Sequence, residues 1–274
     1  MPARFSVAMC TYNGARFVAE QLASVAAQTR PPDELVVCDD RSADETRELV
    51  GEFAARAPFP VRLSVNERNL GSTRNFGRAI SLCSGDLIAL SDQDDVWHPE
   101  KLEKLEARFA ARPSVGLVFT DAELVDERLR PAGRRLWESI GFGPRERRLV
   151  RRGRALDVLL PGWSVTGATM AFRAGFRDLV LDIPEDLALI HDGWIALMVA
   201  AVSEIDFIAE PLIKYRQHPR QQVGAPPERR RAPRRGLEGV AVAARRANSY
   251  DELIRVAERA PACPPASCAA RPPC

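Results

Sequence analysis

The chain has 274 residues, 39 Lys and Arg against 37 Asp and Glu, 46% hydrophobic residues and a net charge of +2. That composition excludes a wholly disordered chain, and the near-neutral charge gives no case for nucleic acid as partner. The longest apolar run, Ile195 to Val202, is eight residues, against about 20 for a membrane-spanning helix, and residues 1–20 lack the basic-then-apolar order of a secretory leader.

Residues 4–9 read as a short buried strand that stops at Thr11-Tyr12-Asn13-Gly14. A helix follows with apolar positions at Phe17, Val18, Leu22 and Val25, the spacing of one helical face. Pro31-Pro32 ends it. Leu35 to Cys38 is a second strand, closed by Asp39-Asp40. Ser42 with Glu45 three residues on has capping-box spacing for a second helix. Val61 to Val65 is a third strand, and a third helix spans about Ser72 to Cys83. Asp86 to Leu90 is a fourth strand, halted by Ser91-Asp92-Gln93-Asp94-Asp95, and Pro99 opens a fourth helix. Val115 to Thr120 is a fifth strand. This alternation predicts right-handed βαβ units on a mostly parallel sheet whose strands are buried on both faces. Residues 127–154 are Arg-rich, with Trp137 and Phe142 as anchors. Regular signals return at 156–160, 168–172, a helix over 192–202, and strands at 205–208 and 212–215. The expected division is a domain over 1–224, with a nucleotide half (1–126) and a second half (127–224), followed by a tail over 225–274.

The tail holds ten Arg, five acids and eight of the 21 prolines, a charge of +5 that leaves −3 for residues 1–224. It reads as a solvated extension with one helix around 240–259; the sharper reading is a basic element held to anionic lipid. Cys10, Cys38 and Cys83 look like core residues, and Cys263, Cys268 and Cys274 lie in the tail. No Cys-x-x-Cys pair is present, so a zinc site is not expected, and a reducing cytoplasmic setting is.

In an open parallel sheet, ligands bind beyond the carboxyl ends of the strands. Those ends carry Thr11, Tyr12 and Asn13, then Asp39 and Asp40, then Asn69, Arg74 and Asn75, then Asp92, Asp94 and Asp95. Neither G-x-G-x-x-G nor G-x-x-x-x-G-K-[ST] is present, which removes the dinucleotide and P-loop readings. Three carboxylates in four residues repel one another unless a cation binds, and Mg²⁺ or Mn²⁺ commonly bridges carboxylates to substrate phosphates. On spacing alone the run is equally a polar turn capping the next helix.

The segments Ser6 to Gly14, Leu35 to Ser42 (LVVCDDRS), Asn69 to Gly77 (NLGSTRNFG) and Leu90 to Leu102 (LSDQDDVWHPEKL) together resemble the family-2 inverting glycosyltransferases of GT-A fold. The S-D-Q-D-D-V-W form and His191-Asp192-Gly193-Trp194 are similar to a bacterial rhamnosyltransferase branch. The resemblance covers about residues 4–223. It implies a divalent cation and transfer from a dTDP- or UDP-linked sugar, rhamnose by the branch it resembles, to a surface glycan or its lipid-linked precursor. Residue by residue, it implies Thr11, Tyr12 and Asn13 at the nucleoside, with the Tyr12 ring on the base. It puts Asp39 on the N3–H of a pyrimidine and Arg74 near base and phosphates. Asp92 and Asp94 match the D-x-D pair, with His218 near the diphosphate and metal. Asp95, Gly167 and Trp194 fall at the transferred sugar or acceptor, and Asp192 matches the catalytic base. An inverting displacement needs that one base and a cation to stabilise the leaving diphosphate.

Unaided, Asp192 reads as a helix cap, and a helix start favours an ionised carboxylate. Arg41, Gly193 and Gln222 depart from the family pattern. Two rivals are a nucleotidyltransferase, which would carry a Gly-rich basic loop after the first strand, and a non-catalytic nucleotide-sugar-binding protein, which would not keep Asp39, Asp92, Asp94 and Asp192. Any membrane contact is expected to be peripheral, at the inner face of the cell membrane.

Overall fold

β1 (Phe5–Thr11), β2 (Glu34–Asp39) and β4 (Leu87–Ser91) are buried along their whole length, as continuous apolar runs in a two-sided sheet should be. β1 pairs in parallel with both β2 and β4, and β2 with β3 (Val61–Val65). In this computed structural model, residues 3–160, 165–181, 183, 190–221, 224 and 225 are described. The tail, its helix and its cysteines, and Trp163 and Gln222, lie outside them. Among the described residues no helix is long and apolar enough to cross a membrane.

One sheet runs in the order β3-β2-β1-β4-β8-β6-β9-β5. β5 is Val96–Trp97, β6 Val115–Val125, β8 Met170–Arg173 and β9 Glu204–Arg216. Beyond β4 the pairing turns mixed: β8 is antiparallel to β4 and β6, and β9 is parallel to β6. β3 is the exception to two-sided burial. It is the outermost strand, and Leu63 and Val65 are exposed. β9 joins the two strands expected at 205–208 and 212–215 into one. Its ladder with β6 slips between Thr120 and Asp121, where the partner changes from Ile208 to Pro211, a residue with no N–H to give.

The helices α1 (Val18–Ala26), α2 (Thr46–Ala54), α3 (Ser72–Leu82) and α4 (Lys101–Ala111) fall where the periodicity places them. The expected cap on α2 does not form: α2 begins at Thr46 with no side-chain cap bond. Ser42 instead donates its hydroxyl to Asp39 and accepts the Asn13 N–H at 2.9 Å. The Arg-rich stretch folds into β7 (Pro131–Arg135), α5 (Leu136–Ile140) and α6 (Pro144–Arg151). Trp137 and Phe142 are not isolated: with Phe119 and Phe207 they form an aromatic cluster with centroids 4.8 to 6.0 Å apart, mostly in the edge-to-face geometry aromatic rings prefer. α7 (Leu156–Leu159), α8 (Arg177–Leu181) and α9 (His191–Val202) complete the fold, with a 3-10 turn over Gly167–Thr169.

Candidate active site

A cavity of about 700 Å³ opens at the carboxyl ends of β1, β2 and β4, where a parallel sheet collects ligands. Its walls come from four places: Thr11, Tyr12 and Asp40; Asn69, Gly71, Asn75 and Phe76; Asp92, Gln93 and Asp94; and Gly167, His191 and Asp192. Leu136, Ser139 and Ile140 of α5 add a further wall.

Tyr12 is 50% exposed and leaves its ring face free for a flat ligand. Its backbone is fixed on both sides by one side chain: its N–H donates to Gln93 Oε1 at 2.8 Å and its carbonyl accepts from Gln93 Nε2 at 3.0 Å. Gly14, the next residue but one, leaves room for this grip: a Cβ there would run into Gln93 Oε1 and displace the amide.

The acidic turn is held from β9. Arg216 is 2% exposed and spreads its donors over three elements. Its backbone N–H reaches Asp95 Oδ1 at 3.0 Å, its Nε the Asp94 carbonyl at 2.6 Å, its Nη1 the Glu127 carbonyl at 2.6 Å, and its Nη2 the Glu20 carboxylate. A planar guanidinium fork suits such divergent acceptors. Two residues on, His218 Nε2 lies 2.7 Å from Asp94 Oδ2. Asp95 Oδ2 is buried without a partner. Burial, then repulsion from neighbouring carboxylates, pushes Asp92 up to about 7 and Asp95 well above the ordinary carboxylate range. Lys101, fully buried beneath the turn, is pushed down to about 7 by burial, and its Nζ is spent on the Ala168 carbonyl at 2.7 Å and the Trp97 ring. Ionising these carboxyls is therefore costly as the turn stands, and a cation placed among them would lower that cost.

Among the described residues no three His, Cys, Asp or Glu side chains converge as a ready-made metal cage. The donor set still fits a hard cation of the kind that takes one or two carboxylates and completes its shell with substrate phosphate and water. Asp94, with Asp92 and His218 beside it, faces the cavity where that phosphate would lie.

Asp192, which also lines the cavity, is 5% exposed. Its Oδ2 accepts the Gly167 N–H at 3.2 Å and its Oδ1 the Gly193 N–H at 2.6 Å. It does not cap α9: Ile190 holds the cap position. Nor does the helix start keep it ionised, because burial outweighs the two N–H donors and pushes its carboxyl up to about 7. A carboxylate poised near neutrality is well matched to taking a proton.

Residues 6–182, more than half of the chain, match the family model described as Glycosyl transferase family 2. The chain belongs to that family. It is 26% identical over 223 residues to an uncharacterized glycosyltransferase of Nostoc, covering 78% of this chain and 65% of the relative. It is 36% identical over 100 residues to a dTDP-rhamnosyl transferase of Shigella flexneri, covering 35% of this chain and 34% of the relative. The chain thus spans under two thirds of the length of these relatives. Among solved structures it superposes on Staphylococcus aureus TarS 1–349 in complex with UDP, with a TM-score of 0.60 and 20% identity, over 79% of this chain and 61% of the other. That likeness bears out the GT-A expectation for the fold.

Within this family 2 chain the cavity gathers Thr11, Tyr12, Asp92, Asp94, Gly167, Asp192 and His218. Other expected site residues lie elsewhere. Asp39 is fully buried and satisfied by Thr11 Oγ1 at 2.8 Å and by the N–H and hydroxyl of Ser42 at 2.8 and 2.5 Å. The acid on the cavity wall is its neighbour Asp40, just past the end of β2. It is 3% exposed; its Oδ1 accepts from Asn66 Nδ2 and the Leu70 N–H, and its Oδ2 accepts the Gly71 N–H and keeps a lone pair for a further donor. Arg74 lines a separate shallow groove with Thr73, Gly77 and Arg78 on the outer side of α3; Asn75 and Phe76 face inward instead. Asn13, in the left-handed region at φ 47°, accepts the Ala43 N–H and shapes the loop rather than the cavity. Asp95 is occupied by Arg216, and Trp194 is a fully buried core residue. The Gln93 clamp, the Arg216 fastener and the α5 wall carry no motif and are visible only in three dimensions.

Proposed function

We propose that this protein transfers a sugar from a pyrimidine nucleoside-diphosphate donor to a hydroxyl acceptor by a single inverting displacement, assisted by a divalent cation. The observation that carries the reading is one cavity with a buried carboxylate, Asp192, on one wall and the Asp94–His218 pair on another. In that arrangement Tyr12 stacks on the base and Asp40 takes its N–H. Asp192 accepts the proton of the attacking hydroxyl, on the face away from the leaving group. Asp94, with Asp92 and His218 beside it, holds a Mg²⁺ or Mn²⁺ ion, which when bound offsets charge on the departing diphosphate. UDP in the TarS neighbour supports a pyrimidine, and the Shigella relative supports dTDP-rhamnose as the sugar to try first. A surface glycan or its lipid-linked precursor is the acceptor in this reading, with the reaction on the cytoplasmic side.

A nucleotidyltransferase is disfavoured because Thr11 to Gly14 provide no basic loop, and a decayed binding protein would have no use for Asp192. The deciding experiment incubates the protein with UDP- and dTDP-sugars, with and without a panel of glycoside acceptors and EDTA. Acceptor-dependent, EDTA-sensitive release of nucleoside diphosphate with inversion at the anomeric carbon is expected. Release of pyrophosphate, or binding without turnover, overturns the reading.

A further inference from the structure

His191 opens α9 immediately before Asp192, and among the described residues its side chain makes no hydrogen bond. It is only 6% exposed. One ring face stacks on Phe76 of α3, with centroids 4.0 Å apart and planes 19° apart. Nδ1 is buried and makes no hydrogen bond. Nε2 stands beside Gly167, where an added Cβ would lie 3.0 Å from it, and the residue lines the cavity. Burial pushes the imidazole down to about 3, so the ring is neutral at physiological pH. A neutral imidazole has one N–H. A buried donor left bare is less tolerable than a bare acceptor, so the proton belongs on Nε2, the nitrogen on the cavity side.

The location says what that N–H meets. Phe76 lies on α3, whose start (Gly71, Ser72 and Asn75) lines the cavity on the side proposed for the nucleoside. Asp192, the next residue, marks the reacting end. The space between holds whatever is attached to the nucleoside diphosphate. We propose that His191 is a donor-sugar residue: its Nε2–H donates a hydrogen bond to a hydroxyl of the transferred sugar, and Phe76 and the missing side chain at Gly167 hold the ring in place for it. This assignment rests on the glycosyl-transfer reading above and adds the residue that recognises the sugar apart from its nucleotide.

Two substitutions separate the hydrogen bond from the packing. His191→Phe keeps an aromatic ring against Phe76 and removes Nε2; His191→Gln loses the stack and restores an N–H at nearly the same reach. Calorimetry would give Kd for UDP, UDP-glucose, UDP-galactose, dTDP and dTDP-rhamnose on the wild type and both variants, with thermal unfolding to confirm folding. For the sugar nucleotide that the wild type binds most tightly, the ratio of its Kd to that of its parent nucleoside diphosphate should rise roughly tenfold in His191→Phe, the worth of one hydrogen bond to a buried group. His191→Gln should recover most of it, and the free nucleotides should bind all three proteins alike. An unchanged ratio in a folded His191→Phe overturns the assignment. So does a matching loss of UDP or dTDP binding, or a Gln variant no better than Phe. Asp192→Asn tests the underlying reading separately, since it should abolish transfer and leave the ratio alone.

Discussion

Replacing Asp192 by Asn removes the proposed proton acceptor and keeps the shape, and the burial of Asp192 sets what this does to stability. Burial raises the carboxyl from 3.8 to about 7, about three units, worth about 4 kcal/mol at 1.36 kcal/mol each as an upper figure. A raised carboxyl means the folded state holds its proton more tightly than the unfolded state. The wild type therefore loses that stability as pH rises from about 4 to 7 and carries the full cost above it. Asn is never charged and escapes the cost. It leaves one of two N–H groups, Gly167 or Gly193, facing an amide NH₂ instead of an oxygen, a penalty of about 1–3 kcal/mol. Asp192→Asn should thus be less stable than wild type near pH 4 and equal or more stable near pH 8, in urea titrations at both pH values. Transfer should fall by about 10²–10⁴-fold. In the wild type, kcat/KM should rise with pH through a midpoint near 7, because only the ionised form accepts a proton. A variant within a few-fold of wild-type transfer, or a stability difference that does not vary between pH 4 and 8, refutes the reasoning.

Three further outcomes follow from the geometry. Tyr12→Ala should weaken nucleotide binding roughly tenfold by loss of base stacking, without lowering the melting temperature, since the ring is half exposed; titration with UDP measures it. Arg216→Lys should cost about 2–4 kcal/mol in urea unfolding, because a single ammonium cannot reach Glu20, Glu127 and Asp94 at once. Asp94→Ala should abolish cation-dependent transfer while the protein, followed by circular dichroism, stays folded; transfer that survives in the variant, or in wild type treated with EDTA, removes the cation from the mechanism.

The parallel half of the fold is legible because each strand there is a short apolar run and each helix has a clean apolar face. β3 misleads because Val61, Leu63 and Val65 spell a buried strand although the edge position leaves them half bare. α5, α6 and β7 are hidden under arginines, since their packing rests on few apolar residues, Leu136, Trp137 and Val150. In the site, Asp92 and Asp94 draw notice by their position at a strand end, whereas Asp192 is singled out only by the family resemblance. The exchange of Asp39 for Asp40 is not legible, because two adjacent aspartates look alike in sequence and only the point at which β2 ends decides which one lines the cavity. The same holds for Arg74, one helical step from the inward-facing Asn75. His191 and Gln93 stand within motifs of the resemblance, but what they do there is not legible, because it comes from a bare ring nitrogen in one case and a backbone contact in the other.

Gln93 sits between the two aspartates of the acidic turn and grips Tyr12 by both its N–H and its carbonyl. The loop proposed to receive the base and the turn proposed to receive the phosphates are consequently one body. Ordering either one orders the other, so the entropy of fixing both is lost only once. Nucleoside and cation should then bind cooperatively, and thermodynamic reciprocity requires that each tighten the other by the same factor. Cutting the grip at Gln93 would leave both half-sites intact and make them independent.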